Sequence, residues 1–262
     1  MKKRETILST LVQIFLTYNL IAQKLPTVQQ NSLHAPNSIK IDGKATEWGN
    51  VFQAYNHATD LYYTLSNDDN NLYLIVRSAD PEIIRRIFNG SIAFSVNKNQ
   101  KKDDMGTISI TYPIFEKNNR MSVNFKAKPE IIPGDEKSIM KADSFANVMN
   151  QRLENKSKTI GIKGINGLDT VISVYNEHNI KVAQLFDNKL NYTYELAVPL
   201  TTLGLSAASA KFFYHIMINE VIEHGVTITK DESGKLTGVL FKGGAQLGQP
   251  ATDFWAEYTL AK

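Results

Sequence analysis

The sequence predicts an all-β sandwich or barrel with one helix inserted in the middle of the chain. Apolar and polar residues alternate over many short runs, which is typical of strands that bury one face. Clusters of Asn, Asp and Gly separate these runs, and such residues favour turns. Between residues 135 and 153 the apolar residues recur at three- and four-residue spacing instead, which indicates a helix. Short strands separated by turns are typical of sandwiches and barrels.

The first half of the chain contains the clearest strand patterns. Residues 61–65 and 72–77 alternate, and the Asn- and Asp-rich cluster at 67–71 predicts the turn between them. Pro81 predicts the start of a short helix that ends at the following Asn-Gly pair. Further strands are expected in the segments 91–100, 107–115 and 120–131.

The second half begins with the inserted helix. Strand-like alternation then returns, and Pro199 ends one such strand. A strongly apolar run at 211–222 and the final segment 252–260 predict two more strands. The helix carries a stripe of apolar residues that is typical of a core-facing side: Ile139, Met140, Phe145, Val148, Met149 and Leu153.

The N-terminus predicts export from the cell. Residues 1–5 form a short basic head, and residues 6–23 are mostly apolar and carry no charge. This pattern predicts a secretory signal peptide over residues 1–23. The alternative is a membrane anchor, but the stretch is marginal for a span of about 20 apolar residues. Residues 24–37 are expected to be a polar linker, so the folded domain is expected to begin at residue 38.

Cysteine content and charge narrow the class of protein further. The chain contains no cysteine, so it lacks the residue that a lipoprotein anchor needs. An exported chain without disulfides fits a secreted or periplasmic bacterial protein. The formal net charge is +3, and residues 1–5 contribute +2 of it, from three basic residues and one acidic residue. The remaining charge of about +1 gives no argument for nucleic-acid binding.

Three segments in order carry a resemblance to a known family. They read "IDGKATEWGN" from residue 41, "DDNNLYLIVRSADP" from residue 68, and "YELAVPLTTLGL" from residue 194, with "TDFWAEYTL" near the end of the chain. Together they resemble the family 9 carbohydrate-binding modules and the family-9-like domains of exported bacterial proteins. The resemblance covers residues 38–262, with an expanded middle at 98–185. It implies an immunoglobulin-like or jelly-roll β-sandwich, often with bound calcium (Ca²⁺).

The sequence departs from this family where sugar is held. In sugar-binding members, one tryptophan after the Asp-Pro pair and another before the final strand clamp the sugar. Here the corresponding segments read "EIIRRIFNGSIAFSVN" and "AQLGQPATDF", and neither contains tryptophan. The resemblance therefore implies the scaffold but does not supply the clamp.

A relocated sugar site would need another aromatic platform with polar groups beside it. In the final strand, Phe254, Ala256 and Tyr258 alternate with Trp255 and Glu257, so Trp255 is expected on the outer face. The alternative is that Trp255 packs under a loop or under the inserted helix. Tyr62, Tyr73 and Tyr112 are weaker candidates, for which a structural role is the alternative. The predicted ligand-binding residues are Trp255, Glu257 and Tyr112.

The turn that precedes the other tryptophan is expected to be structural. Asp42 and Gly43 form a turn five residues before Trp48, and a strand is expected directly afterwards. We expect Trp48 to pack in the core at the end of the sandwich, with Asp42 and Gly43 as a marker of the fold.

A group of aspartates is the candidate metal site. Asp60, Asp68, Asp69 and Asp80 lie near one turn, and calcium takes several carboxylate and carbonyl oxygens. Their spacing is not that of an EF-hand loop, and a solvated turn capped by its own Asp and Asn residues is the alternative.

The sequence offers little for catalysis. It contains no nucleophile elbow, no His-Glu-x-x-His motif and no phosphate-binding loop. Glycoside hydrolysis needs two carboxylates about 5–10 Å apart, and no spacing singles out such a pair. The leading hypothesis is therefore an exported, non-catalytic module that binds a polysaccharide or glycan. The second is a structural or protein-interaction module of the cell envelope whose partner surface is the expanded middle, and the third is a glycan-acting enzyme.

Overall fold

The structure, a computed structural model, describes residues 24–98, 102, 106–116, 119–206, 211–221, 225–230, 233, 236–242 and 248–262. The predicted signal peptide of residues 1–23 lies outside the described residues. Within them, no helix is long and apolar enough to cross a membrane.

The described elements confirm a mostly β fold with an inserted helix. In chain order they are β1 (Ala54–Asn56), β2 (Leu61–Asn67), β3 (Asn71–Ser78), α1 (Pro81–Gly90), β4 (Ile92–Asn97), β5 (Ile108–Tyr112), a short 3₁₀ turn (Phe125–Ala127), α2 (Glu136–Lys156), β6 (Thr159–Lys163), β7 (Val171–Ser173), β8 (Lys181–Phe186), β9 (Tyr192–Pro199), β10 (Lys211–Ile218), β11 (Gly225–Lys230), β12 (Leu236–Lys242) and β13 (Thr252–Thr259).

Two antiparallel sheets pack face to face. The first, called sheet A, has the order β1-β2-β3-β9-β8, and the second, called sheet B, has the order β13-β10-β4-β5-β6-β7. Strands β11 and β12 form a separate hairpin. The predicted all-β sandwich is therefore confirmed, and the segment 98–185 supplies three strands of sheet B and the long helix α2.

The main core lies between the two sheets. Alternation along each strand sends one set of apolar side chains inward, and in β13 these are Phe254, Ala256 and Tyr258, as expected. The hydroxyls of Tyr63 on β2 and Tyr214 on β10 are 2.9 Å apart, so a hydrogen bond joins the two sheets across the core.

Helix α2 begins where the sequence predicts. Asp135 is its N-cap, because its side chain accepts a hydrogen bond from the backbone N–H of Lys137. Helix α2 packs across β8. Its buried side is narrow and made mostly of small residues: Ser138, Ala142, Ala146, Met149 and Leu153. Two members of the predicted apolar stripe, Met140 and Val148, are exposed instead.

The strand expected at residues 120–131 is wrong. This segment is irregular apart from the short 3₁₀ turn, which Asn124 caps by accepting from the backbone N–H of Lys126. Strand β5 already pairs with β4 and β6 on its two edges, so the segment has no free edge of β5 to join. Met121 is nevertheless buried against the core, which accounts for the apolar alternation.

Residues 24–37, which were expected to be a linker, lie against the sandwich. The Gln29 side chain donates to the carbonyl of Leu65 at 2.7 Å and accepts from the Leu65 N–H at 2.8 Å. Ala35 N–H donates to the carbonyl of Asn67 at 2.8 Å. This segment therefore pairs with β2 and helps to cover the outside of the fold.

Candidate functional site

Strand β13 holds Trp255 on the outer face of sheet B. Its neighbours Phe254 and Ala256 are buried, whereas Trp255 is only partly buried. The predicted orientation of Trp255 is therefore confirmed.

The back of the Trp255 indole is supported by a histidine. The rings of Trp255 and His215 on β10 stack with centroids 4.3 Å apart and an angle of 6° between their planes. His215 is only 5% exposed, and its Nε2 lies 2.7 Å from Asp253 Oδ2. Because both the stacking partner and its carboxylate come from paired strands, the indole is held in one orientation.

Polar groups line a groove beside Trp255. The groove, here called the Trp255 groove, has a volume of about 420 Å³ and lies between β13 and the segment 28–32. Glu257 forms an ion pair of 2.8 Å with Lys211 at its side. Gln30, Asn31, Ser32 and Lys102 also line the Trp255 groove with polar groups.

The structure does not bring Tyr112 together with Trp255 and Glu257. Tyr112 is buried on the inner side of sheet B, and its ring stacks on Tyr194 with centroids 5.9 Å apart. Its hydroxyl donates to Ser157 Oγ at 3.1 Å and accepts from the Gln184 amide at 3.3 Å. Tyr112 therefore contributes to the floor of a different cavity, which lies between α2 and β8.

This second cavity, called the helix cleft, has a volume of about 630 Å³. The exposed Tyr175 stands beside it, and Asp42 of the predicted turn lines it. Its remaining lining comes from Ile41, Asn147, Asn150, Gln151, Glu154, Lys158, Val174, Val182, Ala183 and Leu185, together with Ser157 and Gln184.

The Asp-Gly turn is organised by a buried carboxylate. Glu195 on β9 accepts hydrogen bonds from the backbone N–H groups of Asp42 at 2.9 Å and Gly43 at 2.7 Å, and from Trp48 Nε1 at 3.3 Å. Trp48 is buried, but in a small cluster on the outer face of sheet A with Phe52 and Tyr73, not at the end of the sandwich.

Gly43 is required by close packing as well as by its backbone. Its φ is +82°, and a Cβ there would lie 2.7 Å from the Cβ of Leu185, which is well inside van der Waals contact. The turn therefore lies directly on β8, the strand that forms one wall of the helix cleft.

Burial changes the ionisation of Glu195. Removal from water raises the pKa of this carboxyl group to about 7, although the three hydrogen bonds that it accepts lower it. Burial therefore disfavours the ionised form of Glu195, and the three hydrogen-bond donors around it offset part of this desolvation penalty.

Three of the four aspartates proposed as calcium ligands serve other contacts, and the fourth, Asp69, is exposed. Asp68 accepts from the N–H groups of Asn70 and Asn71 and from the Tyr73 hydroxyl, Asp80 caps α1, and Asp60 accepts from Tyr55. In the part of the chain that the structure describes, no three His, Cys, Asp or Glu side chains form a group that could hold a metal ion. The structure does not gather these aspartates into one site.

The sequence did not predict that His215 stacks on Trp255 or that Tyr175 is exposed. The register of β10 against β13 places His215 opposite Trp255, and that register is not visible in either strand alone. Tyr175 follows β7, which lies at the edge of sheet B, and the apolar residues around it do not indicate which of them face solvent.

Comparison with known proteins finds no family model and no curated protein that matches this chain.

Proposed function

We propose that this protein is an exported, non-catalytic β-sandwich that binds a polysaccharide or glycan at the Trp255 groove. The observation that carries the proposal is the partly exposed indole of Trp255, stacked on His215 and flanked by the Glu257–Lys211 pair. An aromatic face and a few oriented polar groups are what a pyranose ring needs for binding.

Preorganisation supports the proposal. Asp253, His215 and Trp255 lie on two paired strands, so the stacking surface exists before a ligand arrives. A rigid site avoids the entropy cost of ordering side chains on binding. The neighbouring side chains offer amide, hydroxyl, carboxylate and ammonium groups, which can all hydrogen-bond to sugar hydroxyls.

The test is affinity electrophoresis and calorimetry on xylan, cellulose, mannan and host-type glycans. Trp255→Ala is expected to weaken binding roughly 2- to 12-fold, because it removes an aromatic contact worth about 0.5–1.5 kcal/mol. Tyr62→Ala is the matched control, since Tyr62 is a partly exposed aromatic residue on sheet A, outside this groove. Absence of binding across the whole panel would remove the carbohydrate proposal and leave the fold unaffected.

A second candidate function is favoured by the exposed side of α2. A surface cavity of about 560 Å³ there is lined by Phe145, Val148 and Met149 between Lys141 and Arg152. Met140, on the same helix, is 69% exposed. Exposed apolar patches of this kind mark interaction sites. The basic rim would suit a protein partner with an acidic, apolar segment.

This candidate can be tested separately by photocrosslinking in the native envelope. A crosslinker at Val148 is expected to capture one discrete partner. A crosslinker at the exposed Asp143, which lies about 140° around the same helix, serves as the control. Equal labelling from both positions would contradict a specific surface on α2.

The third candidate, a glycan-acting enzyme, has weaker support. Asp42 and Glu154 both line the helix cleft, but each lies within 4 Å of a lysine, Asp42 of Lys44 at 3.5 Å and Glu154 of Lys158 at 3.9 Å. A catalytic acid usually lies in an apolar environment that favours its protonated form. Release of reducing ends from any of the glycans above would support this candidate over a binding module.

A further inference from the structure

The helix cleft is separate from the Trp255 groove in both position and composition. It opens between α2 and the edge strand β8 of sheet A, whereas the Trp255 groove lies on the outer face of sheet B. Its volume of about 630 Å³ lies within the range of about 300–1,000 Å³ that is usual for small-molecule sites.

An exposed aromatic side chain stands at this cleft on a rigid loop. Tyr175 is 74% exposed, although its backbone N–H donates to Ser173 Oγ at 3.1 Å. The next residue, Asn176, donates to the carbonyls of Ser173 and Ile180 and accepts from the N–H of Ile180. The well-bonded loop therefore fixes the backbone at Tyr175, and the exposed ring contacts Lys158, whose Nζ lies 5.4 Å from the ring centroid.

The floor of the cleft is a closed network of neutral hydrogen bonds. Gln184 donates to Ser157 Oγ at 2.6 Å and to the Tyr112 hydroxyl at 3.3 Å, and it accepts from the Tyr192 hydroxyl at 2.8 Å. These residues come from four different elements, so the floor is fixed by the tertiary fold. Such a floor orients polar groups without placing a net charge beneath the ligand.

The rim offers amides that the protein itself does not use. Asn147 and Gln151, one turn apart on α2, are exposed at the cleft, and their side-chain amides make no hydrogen bond within the described residues. Both acidic residues of the lining are paired with a lysine, Asp42 with Lys44 and Glu154 with Lys158. An aromatic face, free planar amides and no net charge suit an uncharged ligand rich in hydroxyl groups.

We infer that the helix cleft is a second binding site, for a neutral saccharide that stacks on Tyr175 and hydrogen-bonds to Asn147 and Gln151. This inference extends the proposed function and shares its class of ligand, but it does not depend on Trp255. Two separate sites on one chain would raise the avidity for a polymer that reaches both.

The test is NMR titration of the isotope-labelled protein with cellohexaose, xylohexaose and mannohexaose. At least one of these is expected to shift the side-chain amide signals of Asn147 and Gln151 and the backbone signal of Tyr175. Tyr175→Ala is expected to weaken this binding about 2- to 12-fold. Tyr175→Phe should retain it, because it keeps the ring and removes only the hydroxyl that accepts from Lys158.

Trp255→Ala separates this inference from the proposed function. Shifts in the helix cleft that persist in Trp255→Ala support the second site, and they do so even if the Trp255 groove itself binds nothing. Shifts confined to Gln30, Lys211 and Glu257 would overturn the second site and leave the first. Cleft shifts with unchanged affinity in Tyr175→Ala would also overturn it. The absence of shifts with all three sugars would overturn it as well, and the wider glycan panel then decides the proposed function.

Discussion

Glu195 links the turn near the N-terminus to the centre of sheet A. Glu195 is only 1% exposed, and its carboxylate accepts hydrogen bonds from groups more than 140 residues away in sequence. A buried carboxylate is costly unless donors surround it. The Asp42-Gly43 turn and Trp48 supply those donors. This segment of the chain therefore binds the buried carboxylate of Glu195.

Stability is expected to depend on pH through Glu195. Its folded-state pKa of about 7 lies above its ordinary value of 4.5. The contribution of a group with a raised pKa is fully present below the lower value and is lost as the pH rises through the higher one. The free energy of unfolding should therefore fall by up to roughly 3 kcal/mol between about pH 4.5 and about pH 8, relative to Glu195→Gln.

The measurement is urea unfolding of both proteins across that pH range. Glu195→Gln cannot ionise, so it provides the baseline against which the wild-type curve is compared. Parallel curves for the two proteins would show that Glu195 does not titrate in this window.

Tyr194 offers a substitution that should stabilise the protein. Its buried hydroxyl has no hydrogen-bond partner among the described residues, and leaving such a group unpaired costs about 1–3 kcal/mol. Tyr194→Phe is expected to raise the free energy of unfolding by about 1 kcal/mol. Tyr192→Phe, on the same strand, is the control, because it removes a hydroxyl that bonds to Gln184 at 2.8 Å and should destabilise. A loss of stability in Tyr194→Phe would indicate a partner for this hydroxyl.

At the scale of elements, alternation and turn chemistry were sufficient to predict most strands, both helices and the outward direction of Trp255. They wrongly predicted a strand at residues 120–131, where the alternating apolar residues have no neighbouring strand with which to pair. The helix cleft could not be predicted either. Its floor joins Tyr112, Ser157 and Gln184, which are 27 to 72 residues apart in pairs, and only the packing of α2 on β8 brings them together.

The attachment of α2 to the sheet edge is expected to depend on Asn150. Its side chain donates to the carbonyl of Phe186 at 2.9 Å and accepts from the Phe186 N–H at 2.7 Å, which mimics a further strand beside β8. Asn150→Ala would leave both backbone groups unpaired and is expected to cost about 2–3 kcal/mol. Hydrogen exchange at the Phe186 amide should accelerate with it.

Asn147→Ala is the control for this substitution. Asn147 is exposed one turn earlier on α2, so its replacement should change stability by less than about 0.5 kcal/mol. Equal effects of the two substitutions would contradict a specific clamp between α2 and β8.

At the scale of the whole molecule, the segment 24–37 belongs to the folded unit. Its polar composition suggested a linker, but the Gln29 side chain and the backbone of Leu33 and Ala35 bond to the backbone of β2. Gln29 also donates its backbone N–H to the Tyr63 hydroxyl at 3.0 Å, beside the bond between Tyr63 and Tyr214 that joins the sheets. Composition alone cannot separate a solvated segment from one whose polar groups are satisfied by a sheet.

Deletion of residues 24–35 is therefore expected to destabilise the sandwich. The deletion removes the partners of Leu65 and Asn67 on β2 and should cost at least about 3 kcal/mol, since several buried groups lose hydrogen bonds. Thermal unfolding by circular dichroism measures the loss. Gln29→Ala should reproduce part of it and Gln30→Ala almost none, because Gln29 is buried and Gln30 is exposed. Unchanged unfolding after the deletion would mean that the segment adds nothing to the fold.

The two tryptophans differ in solvent exposure, so their fluorescence can report whether the Trp255 groove is occupied. Trp48 is buried beside a carboxylate, and Trp255 is open to solvent on one side. Acrylamide in solution should quench the emission of Trp255 far more than that of Trp48, so quenching follows the state of the groove. A bound glycan should shield the indole and reduce the accessible fraction, without any label. Trp255→Phe should abolish this response, whereas Trp48→Phe should retain it.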